Sequence, residues 1–357
     1  MYYTDTEARR LVIEAGHRLL ENKLIARTWG NISARISKEE CIITPSGRAY
    51  DTLKPEDLVV VKIADGSFEG SNKPSSEKGV HIAAYALRRE VSFIIHTHQH
   101  FASAVAADCE SIVSAPCAEY ALPGTKKLTK NVEKELARFP EKKTFLMARH
   151  GTLILGKSYE EAFELAEGLE ERCKWLVESR VPSHDAIING KINADEIRTE
   201  MFPCVTVVND PYISECCRNG LKIGAYLDDF AQIVGPDMQV VENDEWTVQR
   251  ALLGYTTNPV GGKNAVGKIP MTGALNMRGG THPALNSVIG RNAVLVKGVG
   301  AVCAGRTPAD VEAVAMIVSK NCTAACYVRK AAPLGLIDAR LQRISYLTSY
   351  SKRINSK

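Results

Sequence analysis

Pro74-Ser75-Ser76-Glu77, followed by Phe93-Ile94-Ile95-His96-Thr97-His98, is the stretch on which the reading of the chain turns. It brings a carboxylate close in sequence to two imidazoles, and the imidazoles end an apolar run. On a β-strand the side chains at i and i+2 point to one face, so His96 and His98 converge from a stiff element. Two ligands need a third. His150, in Phe145-Leu146-Met147-Ala148-Arg149-His150-Gly151, ends another apolar run in the same way. Three neutral imidazoles with an open position describe a catalytic divalent-metal site, with Glu77 as an extra carboxylate. A lone histidine is more often a satisfied core or loop residue. It is the set that carries the reading: H-x-H on one strand, His-Gly ending another, and Ser-Ser-Glu upstream.

Working outward, Thr6 to Asn22 carries Ala8, Leu11, Val12, Ala15, Leu19 and Leu20 at three- and four-residue spacing, which predicts a helix with one buried face. Gly30-Asn31 then makes a turn into a short strand. Cys41-Ile42-Ile43-Thr44-Pro45-Ser46-Gly47 is a strand running into a second small-residue turn, and Leu58 to Ile63 is a further strand. Gly30-Asn31, Ser46-Gly47 and Ser75-Ser76 thus offer hydroxyl, amide and backbone donors with little bulk, which suits a phosphate dianion. None is a Walker or Rossmann pattern. Lys78 to Arg89 reads as a helix, as does Phe101 to Asp108, and Ala115 to Thr125 is extended and turn-rich around Tyr120. Ser158 with Glu161 predicts a capping box at the start of a long amphipathic helix reaching about Val177.

The chain's 357 residues are too many for one ordinary domain and predict two. A hydrophobic share of 45% with 24% charged residues is that of a soluble globular protein. The net charge of +4 comes from dispersed basic pairs such as Arg88-Arg89 and Lys142-Lys143, so nucleic acid is not an expected partner. No apolar run would span a bilayer and no signal pattern opens the chain, so no membrane partner is expected and the expected location is cytoplasmic. The ten cysteines lack C-x-x-C spacing and are expected as reduced, mostly buried thiols.

From about residue 7 to 178 the chain resembles the class II aldolase/adducin family. The resemblance rests on Gly30-Asn31-Ile32-Ser33, Ile43-Thr44-Pro45-Ser46-Gly47, Pro74-Ser75-Ser76-Glu77, His96-Thr97-His98, Pro116-Cys117-Ala118-Glu119-Tyr120 with Gly124-Thr125, and His150-Gly151, in the family's order. It implies an α/β fold, specifically an α/β/α sandwich around a mainly antiparallel sheet, and a homo-oligomer as the working form. Zn2+, or another divalent metal, would sit on His96, His98 and His150, with Glu77 as the acid/base that also touches the metal when substrate is absent. Gly30, Asn31, Ser46, Gly47, Ser75 and Ser76 become the phosphate cradle of a small-molecule sugar phosphate, and Tyr120 the proton donor near the aldehyde.

The implied reaction is reversible cleavage of a ketose 1-phosphate, fuculose 1-phosphate-like, to dihydroxyacetone phosphate and an aldehyde. A divalent metal stabilises the enediolate that retro-aldol cleavage leaves, and Glu77 supplies general acid–base catalysis. The family's pentulose-phosphate epimerases place Asp where this chain has Glu77, which favours cleavage over epimerisation. Decarboxylation on the same metal site and an adducin-like binding module are the alternatives.

The expected organisation is a catalytic domain at 1–180, a linker at 181–200, and a degenerate aldolase-like repeat without metal ligands at 201–357. In the repeat, Cys204 to Pro211 is compared with the His96 strand, with Val208 and Asp210 where His96 and His98 would fall. Asn292 to Val314 is compared with Phe145 to Phe163, with Val299 in place of His150. The Gly- and Lys-rich stretch 258–268 reads as a long surface loop, with a mobile lid or an anion contact as the alternatives. His282 has no partner at metal-ligand spacing. Arg353, with Tyr346 and Tyr350, belongs to a tail that would close over a site.

Overall fold

The structure is a computed structural model, and it describes residues 2–25, 29–181, 185–186, 188–218, 222–253 and 292–350. The stretch 258–268, His282 and Arg353 lie outside the described residues. The chain forms two compact units: Met1–Arg180 with Tyr327–Ala331 and Tyr350–Lys357, and Val181–Cys326 with Ala332–Ser349.

The first unit runs α1 (Asp5–Glu21), β1 (Asn31–Arg35), β2 (Glu40–Ile43), β3 (Val59–Lys62), α2 (Lys78–Leu87), β4 (Phe93–Thr97), α3 (His100–Ala106), β5 (Cys117–Ala118), α4 (Lys126–Arg138), β6 (Thr144–Met147), β7 (Gly151–Gly156) and α5 (Tyr159–Arg180). Its sheet has the order β3-β2-β1-β4-β7-β6-β5. Every pairing is antiparallel except β5 with β6.

Helices on both faces explain why these strands read as unbroken apolar runs. Ile32, Ala34, Ile42, Phe93, Ile95 and Ile154 point to the face covered by α1 and α5. Their sequence neighbours Cys41, Ile43, Ile94, Leu153 and Leu155 point to the face covered by α2 and α4. The sandwich is therefore the α/β/α arrangement around a mainly antiparallel sheet. The N-terminal hydroxyl cap of α5 forms as expected, Glu161 N donating to Ser158 Oγ at 3.2 Å. The Glu161 carboxylate instead accepts from Lys157 N (2.6 Å) and pairs with Lys143, so the reciprocal half of the box is redirected.

The second unit contains α6 (Ala194–Ile197), β8 (Cys204–Val208), α7 (Pro211–Arg218), β9 (Lys222–Gly224), α8 (Asp228–Ile233), β10 (Asp237–Val241), α9 (Glu245–Leu252), β11 (Ala293–Val296), β12 (Gly300–Gly305), α10 (Pro308–Tyr327) and α11 (Leu336–Ser345). Its sheet has the order β8-β12-β11-β10-β9. The stretch 181–200, expected as a linker, contributes side chains to this unit's core. Ile197 is fully buried with Phe202, Val248 and Val296, and Ile192 lies against the same core, so part of this stretch belongs to the second fold.

One hairpin of the second unit and the strand beside it have the same register as a hairpin and strand of the first. The β6–β7 hairpin pairs Thr144↔Ile154 through Met147↔Gly151, and β11–β12 pairs Ala293↔Cys303 through Val296↔Gly300, with turns of equal length. Arg149 at φ 62 and Gly298 at φ 71 occupy the same left-handed turn position. The neighbouring strand also corresponds, Thr97↔Thr152 matching Val208↔Ala301. This register moves the front of the sequence comparison by one residue: Val207 stands where His96 does, and Asn209 where His98 does. A uniform valine run gives sequence comparison nothing to hold register by.

Candidate active site and metal centre

His96 continues the alternation of β4 toward the α2 face, and Glu77 stands immediately before α2. The result is a carboxylate facing imidazoles. Glu77 Oε2 lies 3.2 Å from His96 Nε2, and Glu77 Oε1 lies 2.9 Å from His150 Nε2. His98 Nε2 is 3.1 Å from His96 Nε2, and ligand atoms of the three histidines lie within 4.8 Å of one another. All three histidines are buried.

This arrangement fits a metal ion on three grounds. Ligand nitrogens around a tetrahedral ion are separated by about 3.3 Å, close to the His96–His98 distance. His96 Nδ1 lies 2.8 Å from the Thr152 carbonyl, a bond that fixes Nδ1 as the N–H and turns the Nε2 lone pair toward its neighbours. Glu77 Oε1 is buried and makes no hydrogen bond despite its approach to His150, which leaves a buried acceptor for a cation. Burial alone would push the Glu77 carboxyl pKa up. The imidazoles of His150 and His96 overturn this and hold it well below the usual carboxylate range.

The supports are stiff. Thr97 Oγ1 and Thr152 Oγ1 meet at 2.7 Å across β4–β7, and Thr152 Oγ1 donates to Gln99 Oε1 at 3.1 Å. Glu170 of α5 accepts from the first amides of α3, Phe101 N at 2.8 Å and Ala102 N at 2.9 Å, fixing the segment after His98. Gly151 lets β7 approach: a Cβ there would stand 2.2 Å from Thr97 O and 3.2 Å from His96 Cε1. Gly30, at φ +90, has the same function beside β4, where a Cβ would lie 2.5 Å from His96 O.

The small-residue turns come together by backbone pairing. Ser46 N donates to Lys73 O (2.9 Å) and Ser75 N to Thr44 O (3.0 Å). Gly47 adopts φ 73. The Cβ direction of Gly124 faces Ser76 at 3.3 Å, which draws the segment after Tyr120 toward the Ser-Ser turn. Ser75 Oγ accepts from Glu77 N at 3.2 Å. The Asn31 amide has other partners: Nδ2 donates to Glu77 Oε2 at 3.1 Å, and Oδ1 lies 2.5 Å from His81 Nε2. Tyr120 is half-buried after β5, and its carbonyl accepts from Asn131 Nδ2 at 3.5 Å. Sequence reasoning passed over His81 as one helix residue among others.

In the second unit the turn corresponding to the one before Gly151 is Lys297-Gly298-Val299. A cavity of about 360 Å³ there is lined by Asn189, Ser214, Cys217, Arg218, Val299 and Gly300, among others, without a histidine or carboxylate.

The family profile "Class II Aldolase and Adducin N-terminal domain" matches residues 10–177. The 5-methylthioribulose-1-phosphate/5-deoxyribulose-1-phosphate aldolase of Escherichia coli is 33% identical over 170 residues, 44% of this chain and 78% of its own. The L-fuculose phosphate aldolase of Haemophilus influenzae is 30% identical over 166 residues, 42% of this chain and 73% of its own. The 3-oxo-tetronate 4-phosphate decarboxylase of the same organism is 26% identical over 187 residues, 48% of this chain and 87% of its own. The chain belongs to the class II aldolase and adducin family. Its relatives within the family indicate an enzyme, a lyase, and the buried histidine triad could hold a metal ion. No helix among the described residues is long and apolar enough to cross a membrane.

Proposed function

We propose that the first unit is a zinc-dependent aldolase that reversibly cleaves a ketose 1-phosphate of the fuculose 1-phosphate type. Its products are dihydroxyacetone phosphate and an aldehyde, and the enzyme works in the cytoplasm as a homo-oligomer. The observation that carries the reading is the Glu77 carboxylate held against two of three converging imidazoles. A divalent ion on His96, His98 and His150 would supply positive charge against the negative charge that builds on the substrate's oxygens. Three imidazoles with room for a further ligand suit zinc.

Glu77 then holds the moving proton. In cleavage it gives a proton to the carbon released as the hydroxymethyl group of dihydroxyacetone phosphate, and in synthesis it removes that proton through Oε1. Tyr120 exchanges the proton on the oxygen that becomes the aldehyde carbonyl. Gly30, Ser46, Gly47, Ser75 and Ser76 bind the phosphate remote from the reacting carbons and orient them. Asn31 was expected in this cradle, but its amide faces Glu77 and His81, so we assign it to holding the base. The second unit, whose hairpin register supports a partial repeat, carries no metal in this reading.

The test is release of dihydroxyacetone phosphate from a panel of ketose 1-phosphates by metal-loaded protein, followed by coupled reduction. Release abolished by a chelator supports the proposal. The similarity to a 3-oxo-tetronate 4-phosphate decarboxylase supplies the competing outcome, carbon dioxide release from a phosphorylated 3-oxo acid by the same triad. That result without ketose cleavage would replace the aldolase reading.

A further inference from the structure

The alternation of β1 that sends Ile32 and Ala34 into the α1 face sends Asn31, Ser33 and Arg35 toward α2. All three are buried, so each polar group needs a partner. The partners stand one helical turn apart on α2, His81 and Tyr85. Ser33 Oγ lies 2.7 Å from His81 Nδ1 and 2.9 Å from Tyr85 OH, and His81 Nε2 lies 2.5 Å from Asn31 Oδ1. The Arg35 guanidinium stacks over the Tyr85 ring at 4.7 Å. With Asn31 Nδ2 donating to Glu77 Oε2, the side chains of Tyr85, Ser33, His81, Asn31 and Glu77 form one connected series.

The direction of each bond follows from one fixed end. An ionised Glu77 only accepts, so Asn31 must present its NH2 to it and its carbonyl to His81. His81 Nε2 must then carry the hydrogen, Nδ1 must accept from the Ser33 hydroxyl, and Ser33 is left to accept from Tyr85. The chain runs one way, from Tyr85 through Ser33, His81 and Asn31 to Glu77 Oε2. Burial pushes the His81 imidazolium pKa down to about 3 and the Tyr85 phenol well above its usual value, so neither group reverses this order near neutral pH.

We propose that His81 is a positioning residue of the site, fixed as the Nε2–H tautomer by Ser33, and that it locks the Asn31 amide so that Glu77 Oε2 is held while Oε1 alone moves the proton. The proposal rests on the aldolase reading of Glu77. A flipped Asn31 amide would turn its carbonyl against the carboxylate and pull the base out of line.

Two measurements test it. In protein labelled with 15N-histidine, the His81 signals, assigned by their loss in His81→Gln, should be those of a neutral ring protonated at Nε2; protonation at Nδ1 overturns the proposal whatever the activity. In steady-state kinetics, His81→Leu should lower kcat by about 10- to 100-fold with KM nearly unchanged and full metal content. His81→Gln, whose amide can restore the donor to Asn31, should recover to within about fivefold of the wild type. Equal losses in the Leu and Gln variants, or losses that follow metal content or Tm, overturn the proposal. Wild-type protein inactive on every ketose phosphate would instead defeat the aldolase reading and leave the tautomer measurement standing.

Discussion

Replacing Gly151 with alanine perturbs the triad without touching a ligand. The added Cβ would start 2.2 Å from Thr97 O and 3.2 Å from His96 Cε1, and contacts under 3.0 Å are essentially never tolerated. Relief requires β7 and β4 to part by about 0.8 Å, the difference between 2.2 and 3.0 Å. That movement is resisted by the Thr97–Thr152 hydroxyl contact at 2.7 Å and by the His96–Thr152 bond at 2.8 Å. Overpacking of this kind costs about 1–3 kcal/mol. The shift also exceeds the roughly 0.2 Å tolerance of metal–ligand distances, so zinc affinity should fall by at least about tenfold. Urea unfolding gives the first quantity and competition with a chromophoric chelator the second. Gly70→Ala is the control: Gly70 has φ +95 and nothing within 4 Å of its Cβ direction, so it should lose about 1 kcal/mol and no metal affinity. Wild-type zinc affinity in a folded Gly151→Ala protein would refute the close-approach argument.

Alanine at His96, His98 or His150 should abolish stoichiometric zinc binding, whereas exposed His17→Ala should leave it intact; elemental analysis after dialysis decides. Because the folded pKa of His81 is depressed from 6.5 to about 3, the unfolded chain binds the extra proton between those values. Stability from this group is therefore full above about pH 6.5 and is lost as pH falls toward 3, by several kcal/mol at most. His81→Gln should flatten that part of a urea-midpoint profile, and an unchanged profile would contradict it. In the second unit, Asp229→Asn removes a carboxylate charge paired with buried Lys320 and should cost up to about 3–5 kcal/mol in urea unfolding.

The sandwich was legible because strands covered on both faces are apolar throughout, and because the triad's histidines sit where such runs end. His81 was hidden by its setting: a histidine in an apolar helix reads as core. Its signal was relational, His81 and Tyr85 one turn apart against the alternating polar Asn31, Ser33 and Arg35 of β1, and sequence order does not say that these elements face each other. Asn31 was placed with the phosphate donors because a Gly-Asn turn offers donors, but an amide also bridges two partners, and here it does. In the second unit the hairpin could be aligned by its left-handed turn, whereas the front strand slipped by one residue. The stretch 181–200 is polar overall, and its side chains packed on the core, partly buried Ile192 and buried Ile197, were too sparse to show a periodicity.

The most direct measurement of the central claim is exchange of the hydroxymethyl hydrogen of dihydroxyacetone phosphate with deuterium oxide, followed by proton NMR with zinc-loaded protein and no aldehyde present. Stereospecific exchange of one hydrogen by the wild type, lost in a Glu77→Gln protein that retains its zinc, is the predicted result. No exchange by zinc-loaded wild type, or undiminished exchange in Glu77→Gln, would contradict the assignment of Glu77 as the group that moves the proton.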